Sequence, residues 1–387
     1  MKKWIALLAL LAAFPPLSTD MYLPAIPSLA EMWQEPLWVI NLTLVGFFVT
    51  YSIFLLIYGP LSDRFGRKPV LKAGILIYVL ASMMCALSSS STGLIMSRML
   101  QAAGAASAAS LALAVVRDVF EETSRERALA YISMVVALAP MLAPIIGGWI
   151  LAFLPWNWIF AVLAGLGLIA LAGVVRMEET LCPQERTRDA GLLTGYALLL
   201  KNRRYISLAL VVSIGSMPLF AFIAASSDIY ISGFGLSEQV YGYFFGFNAL
   251  AVMAGAFTCI RLTRHILSRN ILSLGFAGVA GGGIWLLLGQ GQSPWDLALP
   301  MFVMSFSLGL SRPPSHNLVL KQAGRGAGAA SSFLMFSLMT SGAAAMGFIS
   351  LEWQDKIEVL GLLAVLCAGL GLTSWLLLQK YSSRPWQ

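Results

Sequence analysis

Long apolar runs alternate with short polar or basic segments along almost the whole chain. A transmembrane α-helix needs about 20 predominantly apolar residues, and twelve runs meet that requirement. The pattern therefore indicates an all-α membrane protein with twelve transmembrane helices. The helices are predicted at residues 4–29, 37–60, 70–89, 92–117, 128–153, 157–177, 204–227, 237–262, 270–289, 295–313, 326–348 and 357–379.

The longest polar stretch after the first helix follows the sixth predicted helix and is rich in acidic and basic residues. It predicts a linker over residues 178–203 between two six-helix halves, residues 1–177 and 204–387. Twelve spans leave little chain for a separate soluble domain.

The lysines and arginines are distributed asymmetrically between the predicted loops. Of the 25 basic residues, only Lys356 falls on one side and only Arg98 inside a helix, so the other side receives nearly all of them. Basic loops face the cytoplasm. The pattern predicts an even number of spans, with both termini cytoplasmic.

Composition agrees with a membrane protein and excludes other classes. The chain is 58% hydrophobic and 11% charged, with a mean hydropathy of +0.80. The net charge of +7 reflects the basic loops, so it does not indicate nucleic-acid binding. The four cysteines contain no C-x-x-C pair and suggest neither a disulfide framework nor a metal site. The apolar N-terminus resembles a signal peptide but continues into residues 21–30, which predicts an uncleaved first helix.

Asp20 is the only acidic residue that these predictions place clearly inside a span, away from its ends. A carboxylate there costs on the order of 3 kcal/mol on insertion scales and normally faces a cavity or a partner. Burial favours the neutral form and a nearby cation favours the ionised form, so Asp20 could bind and release a proton during transport. Alternatively, Asp20 only caps or hydrogen-bonds the backbone at the helix break created by the prolines around it.

Arg98 is the natural partner of Asp20. At about 1.5 Å per residue, Arg98 lies about 9 Å from the outer end of its helix, and Asp20 about 14 Å from the outer end of its own. Their depths are comparable, which predicts an interaction between them. The alternative is that Arg98 extends outward to the lipid headgroups.

Other classes of protein are less consistent with the sequence. A membrane enzyme would need a nucleophile, base or metal cluster at one depth, yet His265 and His316 fall in separate predicted loops. No G-x-x-x-x-G-K-[ST] phosphate loop is present. A channel would need neither the two halves nor an isolated titratable pair.

Several motifs resemble the major facilitator superfamily, and more closely the bicyclomycin-resistance (Bcr/CflA) branch of its drug:proton antiporters. They occur in the family's order. The residues are Ser18 to Pro27, Gly59 to Pro69, Arg98 to Ala105, Val116 to Phe120 and Ala139 to Gly148. The resemblance implies the major facilitator fold in two six-helix halves, and a role for Arg98 in proton transfer.

The basic segment at residues 59–69 contains two glycines and two prolines, which predicts a loop in water. The resemblance implies a cytoplasmic gate formed by Gly59, Asp63, Arg64, Gly66, Arg67, Arg117 and Asp118. In that role Asp63 would lie against the start of the eleventh helix near residues 324–327, where the helix dipole favours an anion. Otherwise Asp63 pairs with Arg64 or Arg67 in a solvated cluster that contributes little.

The segment from Ala139 to Gly148 resembles the antiporter signature, although Ala143 replaces its usual glycine. Prolines release backbone carbonyls and bend a helix, and glycines allow a neighbouring helix to approach. The motif therefore shapes a packing helix, with or without a role in transport. Its key residues are Pro140, Pro144, Gly147 and Gly148.

The resemblance predicts a proton-coupled antiporter of the bacterial cytoplasmic membrane that exports small amphipathic compounds in a bicyclomycin- or chloramphenicol-like range. The alternative is an exporter or symporter of one metabolite or siderophore. We expect protons, lipid and a small substrate as the only partners, no cofactor or metal, and a monomer. Candidate substrate-cavity residues, which could equally be ordinary core or lipid-facing residues, are Phe47, Tyr51, Phe220 and Asn248.

Overall fold

The computed structural model describes residues 2–182, 192–289, 291–323 and 327–381. Within these ranges the chain is helical and contains no β-strand. The helices are α1 (Lys2–Asp20), α2 (Ile26–Trp33), α3 (Leu37–Phe65), α4 (Arg67–Ala86), α5 (Ser91–Val119), α6 (Glu122–Phe153), α7 (Asn157–Arg176), α8 (Leu192–Lys201), α9 (Arg203–Ser227), α10 (Glu238–Leu262), α11 (Ser268–Leu288), α12 (Pro294–Lys321), α13 (Ala327–Ile349) and α14 (Lys356–Tyr381).

Eleven segments of the described chain are long and apolar enough to cross a membrane. One of them, Trp4–Trp33, combines α1 with α2. The remaining predicted span, the tenth in chain order, corresponds to α12, which has 28 residues but also three internal prolines and several serines. Its length suffices for a crossing, although its composition is more polar than that of the other eleven.

The first predicted helix, residues 4–29, is interrupted. Helix α1 ends at Asp20, a 3-10 turn follows at Leu23–Ala25, and α2 begins at Ile26. The prolines explain the interruption, because Pro24 has no N–H for the carbonyl of Asp20 and Pro27 has none for that of Leu23. Asp20 therefore lies at a helix end inside the apolar segment.

The predicted loop at residues 59–69 is wrong in extent. Helix α3 continues through Gly59 and Pro60 to Phe65, and α4 begins at Arg67. The whole change of direction occurs at Gly66, whose φ of 100° suits glycine. The polar residues do not end the helix because a helix that leaves an apolar region can continue in water with its own hydrogen bonds intact.

The seventh predicted helix extends further than residues 204–227. A π-helical turn at Asp228–Gly233 continues α9, so Asp228 belongs to the apolar segment Arg203–Gly233. Its carboxylate pairs with the ammonium group of Lys356 at 2.6 Å. Asp228 is therefore a further acidic residue within such a segment, and an ion pair compensates its charge.

Helix α12 also exceeds its prediction of residues 295–313. It starts with a capping box, in which the Ser293 side chain accepts a backbone N–H and the Asp296 carboxylate accepts the N–H of Ser293. It ends at Lys321, eight residues beyond the predicted end. His316 thus lies on a helix and not in a loop.

The chain divides into two compact units. The first contains Met1–Leu192 with Ser237–Gly242, and the second contains Leu193–Leu236 with Tyr243–Gln387. The predicted linker of residues 178–203 includes the division at Leu192, but it also contains the short helix α8.

Within the first unit, α4 and α5 pack closely enough to exclude side chains at their crossing. A Cβ atom on Gly104 would lie 2.5 Å from the backbone nitrogen of Tyr78 and 2.7 Å from the carbonyl oxygen of Gly74. Glycine is required there because the two backbones touch. This contact fixes α5, which carries Arg98, against α4, which carries Tyr78.

Candidate functional site

The break after α1 leaves a backbone carbonyl for Arg98. In a regular helix the N–H of Tyr22 would bond to the carbonyl of Ser18, but here it donates to Thr19 O at 3.3 Å. The Nη1 group of Arg98 donates to Ser18 O instead, at 2.9 Å. The proline-induced break thereby creates a binding position for the arginine on α5.

Aromatic rings surround the rest of the Arg98 guanidinium. Its central carbon lies 4.5 Å from the ring centre of Phe47, 5.2 Å from that of Tyr22 and 5.7 Å from that of Phe160. Arg98 has no exposed surface. These cation–π contacts stabilise the charge where water cannot, so the side chain is held within the unit and does not extend to headgroups.

Arg98 keeps unused hydrogen-bonding capacity. Nη1 also donates to Oε1 of Gln101, one helical turn away, whereas Nε and Nη2 have no hydrogen-bond partner among the described residues. Buried polar groups without partners are rare and mark strain, function or a missing ligand. Two donors of Arg98 are thus free to bind an additional acceptor.

A buried polar chain connects Arg98 to α4 and α1. Gln101 Nε2 donates to Ser82 Oγ at 2.8 Å, and Ser82 donates to the carbonyl of Tyr78 at 2.7 Å. The Tyr78 hydroxyl lies 2.7 Å from the hydroxyl of Ser18. The side chains of all five residues are fully buried. Sequence reasoning missed Gln101 and Tyr78, although the one-turn spacing of Gln101 from Arg98 was a usable signal.

Asp20 is 6% exposed and makes few contacts. Its Oδ1 accepts a hydrogen bond from Thr19 Oγ1 at 2.8 Å, and no backbone N–H of the described residues caps it. Among the described residues Asp20 forms no ion pair with Arg98. The Arg98 guanidinium is directed instead to Ser18 O and to the surrounding aromatic rings. The Arg98 charge still acts on the Asp20 carboxyl through space.

The antiporter-like motif in α6 packs against the break that follows Asp20. A Cβ atom on Gly147 would collide with the carbonyl oxygen of Met21. Pro140 and Pro144 lie within α6, where Pro144 leaves the carbonyl of Pro140 without its helical donor. The next residue, Gly148, accepts a hydrogen bond from Gln239 Nε2 at 3.1 Å within the same unit.

Charged residues form a cluster where α3 meets α4. Arg67 pairs with Asp63 at 2.5 Å and with Asp118 at 3.0 Å, so these three of the residues named for the gate lie together. Glu179 accepts hydrogen bonds from the backbone N–H groups of Arg67 and Lys68, at 2.9 and 3.3 Å. The cluster joins the start of α4 to the end of α5 and to the chain after α7.

Other residues predicted for the gate lie at the edge of this charged cluster. Arg64 stacks over the neighbouring Phe65 ring at 5.2 Å. Arg117 contributes its carbonyl, which accepts a hydrogen bond from Arg125 at 3.0 Å. Gly59 has open space around its Cβ position. The predicted docking position for Asp63 is near residues 324–327, of which 324–326 lie outside the described residues, so that contact stays a prediction.

The four candidate substrate residues have different surroundings. Phe47 covers Arg98, and Tyr51 stacks on Phe47 with ring centres 6.2 Å apart. Phe220 lines a cavity within the second unit. Asn248 does not line that cavity; its Oδ1 accepts from Ser305 at 3.2 Å. The described residues contain no group of three or more metal-ligating side chains.

Comparison with known proteins identifies the relatives of the chain. The family model described as Major Facilitator Superfamily matches residues 8–347. The MFS-type transporter YdgK of Bacillus subtilis is 32% identical over 85% of this chain and 83% of its own length. A bicyclomycin resistance protein homolog of Haemophilus influenzae is 30% identical over 78% and 77%. The crystal structure of a D-xylose–proton symporter has a TM-score of 0.76 at 13% identity, covering 95% and 96% of the two chains.

Proposed function

This chain belongs to the major facilitator superfamily and is a multi-pass membrane transporter, not an enzyme; from that premise we propose that it exports small amphipathic compounds in exchange for protons. The observation that carries the proposal is the pair of buried, incompletely satisfied charges in the first unit. Asp20 has one side-chain partner, and Arg98 has two free donors. Ionisable groups in this position normally serve transport.

Asp20 is the proton carrier in this proposal. It lies at a helix end whose backbone is held by Gly147, so movement of α6 relative to α1 changes its surroundings. In the ionised state the carboxylate accepts from Thr19 and benefits from the Arg98 charge. In the protonated state it can donate to Thr19 Oγ1, which itself lies 3.1 Å from the carbonyl of Pro15. Either state therefore has a hydrogen-bond partner.

Arg98 binds the substrate in this proposal. Its free Nε and Nη2 groups can donate to a carbonyl or hydroxyl oxygen, and the rings of Tyr22, Phe47 and Phe160 supply an apolar surface. Such a combination suits a neutral amphipathic compound. The names of the relatives, among them a bicyclomycin resistance protein homolog and multidrug resistance protein D of Escherichia coli, support the same substrate class. We place the transporter in the bacterial cytoplasmic membrane with both termini inside.

Proton movement in everted membrane vesicles tests the proposal. Vesicles that maintain a respiratory pH gradient are given a panel of lipophilic drugs and small metabolites. We expect at least one lipophilic drug to dissipate the gradient with the wild-type protein but not with Asp20→Asn. Glu31→Gln removes the same charge from an exposed position on α2 and should behave as wild type.

Two results would contradict the proposal. Drug-dependent proton movement that persists in Asp20→Asn excludes Asp20 as the carrier. A response to one metabolite or siderophore, with none to any drug, replaces the broad export function by a narrow one.

A further inference from the structure

The second unit contains a cavity that the proposed transport site does not use. Its lining comes from α9, α10, α11, α12 and α13, all within that unit. The empty space between these side chains, open solvent included, is about 680 Å³. Small-molecule sites in proteins are typically apolar concavities of a few hundred to a thousand Å³.

One cation and one imidazole lie on one wall of this cavity. Arg312 and His316 are four residues apart on α12, so they share a helix face. The Arg312 side chain lines the cavity and remains solvent-accessible. Its guanidinium is therefore open to a ligand that enters the cavity.

Neither side chain has a counter-ion in the described part of the chain. The ion pairs found there join Arg67 to Asp63 and Asp118, and Lys356 to Asp228. His316 Nε2 is buried without a hydrogen-bond partner among the same residues. The acidic residue on α12 itself, Asp296, lies sixteen positions from Arg312, about 24 Å along the helix. The positive charge is therefore uncompensated.

The remaining polar groups of the cavity cannot replace the cation as donors. The hydroxyls of Ser216, Ser311 and Ser315 donate to backbone carbonyls of their own helices, at 2.7, 3.0 and 2.9 Å. The other walls are apolar and include Phe220, Phe276 and Met339. A ligand that fits these surroundings has one anionic group for Arg312 and an apolar body for the rings.

We propose that this cavity binds an amphipathic organic anion, with its carboxylate or phosphate group on Arg312 and His316 and its apolar part against Phe220 and Phe276. Arg312 has no counter-ion among the described residues, and a bound anion supplies one beside an apolar wall. The site is independent of Asp20 and Arg98, and its occupancy requires no proton movement.

Direct binding to the purified full chain in neutral maltoside detergent tests this site. The probe is radiolabelled 1-naphthoate, with neutral 1-naphthamide as the matched compound. We expect the wild type and Asp20→Asn to bind naphthoate equally, with little affinity for the amide. Arg312→Gln should weaken naphthoate binding roughly tenfold or more, His316→Asn should weaken it less, and Arg261→Gln, outside the cavity, should not change it.

Two results would overturn the proposal. Naphthoate binding that is unchanged in a folded Arg312→Gln variant, as judged by its thermal unfolding, excludes Arg312 as the anchor. Equal affinity for naphthamide shows that the cavity selects apolar bodies and not anions. Repeating the assay in phosphatidylcholine nanodiscs with added phosphatidylglycerol distinguishes the source of the anion. If phosphatidylglycerol competes with naphthoate specifically in the wild type, the ligand is a lipid headgroup. If it does not compete, the ligand is a soluble compound.

Discussion

Arg98 connects three helices through one side chain. It rises from α5, donates to a carbonyl of α1 that the helix break has released, and lies against the Phe47 ring of α3. A buried charge is tolerable only with such compensation. Its removal leaves Ser18 O and Gln101 Oε1 without their donor in a place that water does not reach.

Arg98→Gln should therefore destabilise the protein by about 3 kcal/mol, because breaking a buried charged contact leaves its partners unsatisfied. Arg98→Lys should cost less, since the charge and one donor remain. Thermal unfolding in detergent measures both variants, with exposed Arg127→Gln as the control. An unfolding temperature of Arg98→Gln equal to that of the control would contradict the buried network.

The two charges of the site could be found from sequence because each stands out in an apolar run. Their contacts could not. The predicted Asp20–Arg98 pair depended on both side chains turning toward each other, and the break at Tyr22 instead offers the arginine a backbone carbonyl. Aromatic residues such as Tyr78 carry no sequence signal in an apolar helix, since lipid-facing and core rings look alike. The sequence predicts a loop at His316 because its hydropathy ends α12 at residue 313, eight residues too early.

At the scale of elements, α6 supports the break in the first span. Gly147 lies against the backbone that follows Asp20. An inserted methyl group must separate the two helices, because the atom it meets is a backbone carbonyl and cannot rotate away. Small residues at such crossings let membrane helices approach.

Gly147→Ala should cost about 1–3 kcal/mol through overpacking and should reduce transport by displacing Asp20. Gly165→Ala in α7 is the matched control, because its Cβ position has open space. There the substitution should be neutral or stabilise by about 0.5–1 kcal/mol, as in other helix interiors. Unfolding temperature and drug transport are measured for both. Equal behaviour of the two variants would show that the α1–α6 contact is not close.

Hydropathy located the helices well but misjudged their ends. Hydropathy marks where a segment is apolar. A helix, however, continues as long as its backbone hydrogen bonds are made and each residue can adopt a helical φ. Helix α3 therefore continues to Phe65, and only Gly66 with its positive φ stops it. In the first span the opposite occurs, because Pro24 and Pro27 break the backbone within a run that stays apolar.

At the scale of the whole molecule, α12 decides the topology. Eleven described segments meet the composition expected of a membrane crossing, and α12 does not. If α12 spans the membrane, the number of crossings is even and the basic loops share one side. If it does not, the C-terminal end lies opposite the N-terminal end.

Fusions to green fluorescent protein and alkaline phosphatase distinguish these topologies. We expect fusions after Cys182, which follows α7, and after residue 387 to be fluorescent and phosphatase-inactive, because both positions are cytoplasmic with an even number of spans. Active phosphatase at the second position alone would show an odd number of crossings between α8 and the end of α14.

Drug uptake by reconstituted protein tests whether Asp20 couples export to the proton gradient. Purified protein is placed in liposomes with an acidic interior, and a drug identified in the vesicle panel is added outside. We expect the wild type and Glu31→Gln to accumulate the drug only while the pH gradient lasts, and Asp20→Asn to take up no more than protein-free liposomes. Wild-type accumulation that is unaffected by collapse of the gradient, or gradient-driven uptake by Asp20→Asn, would contradict this expectation.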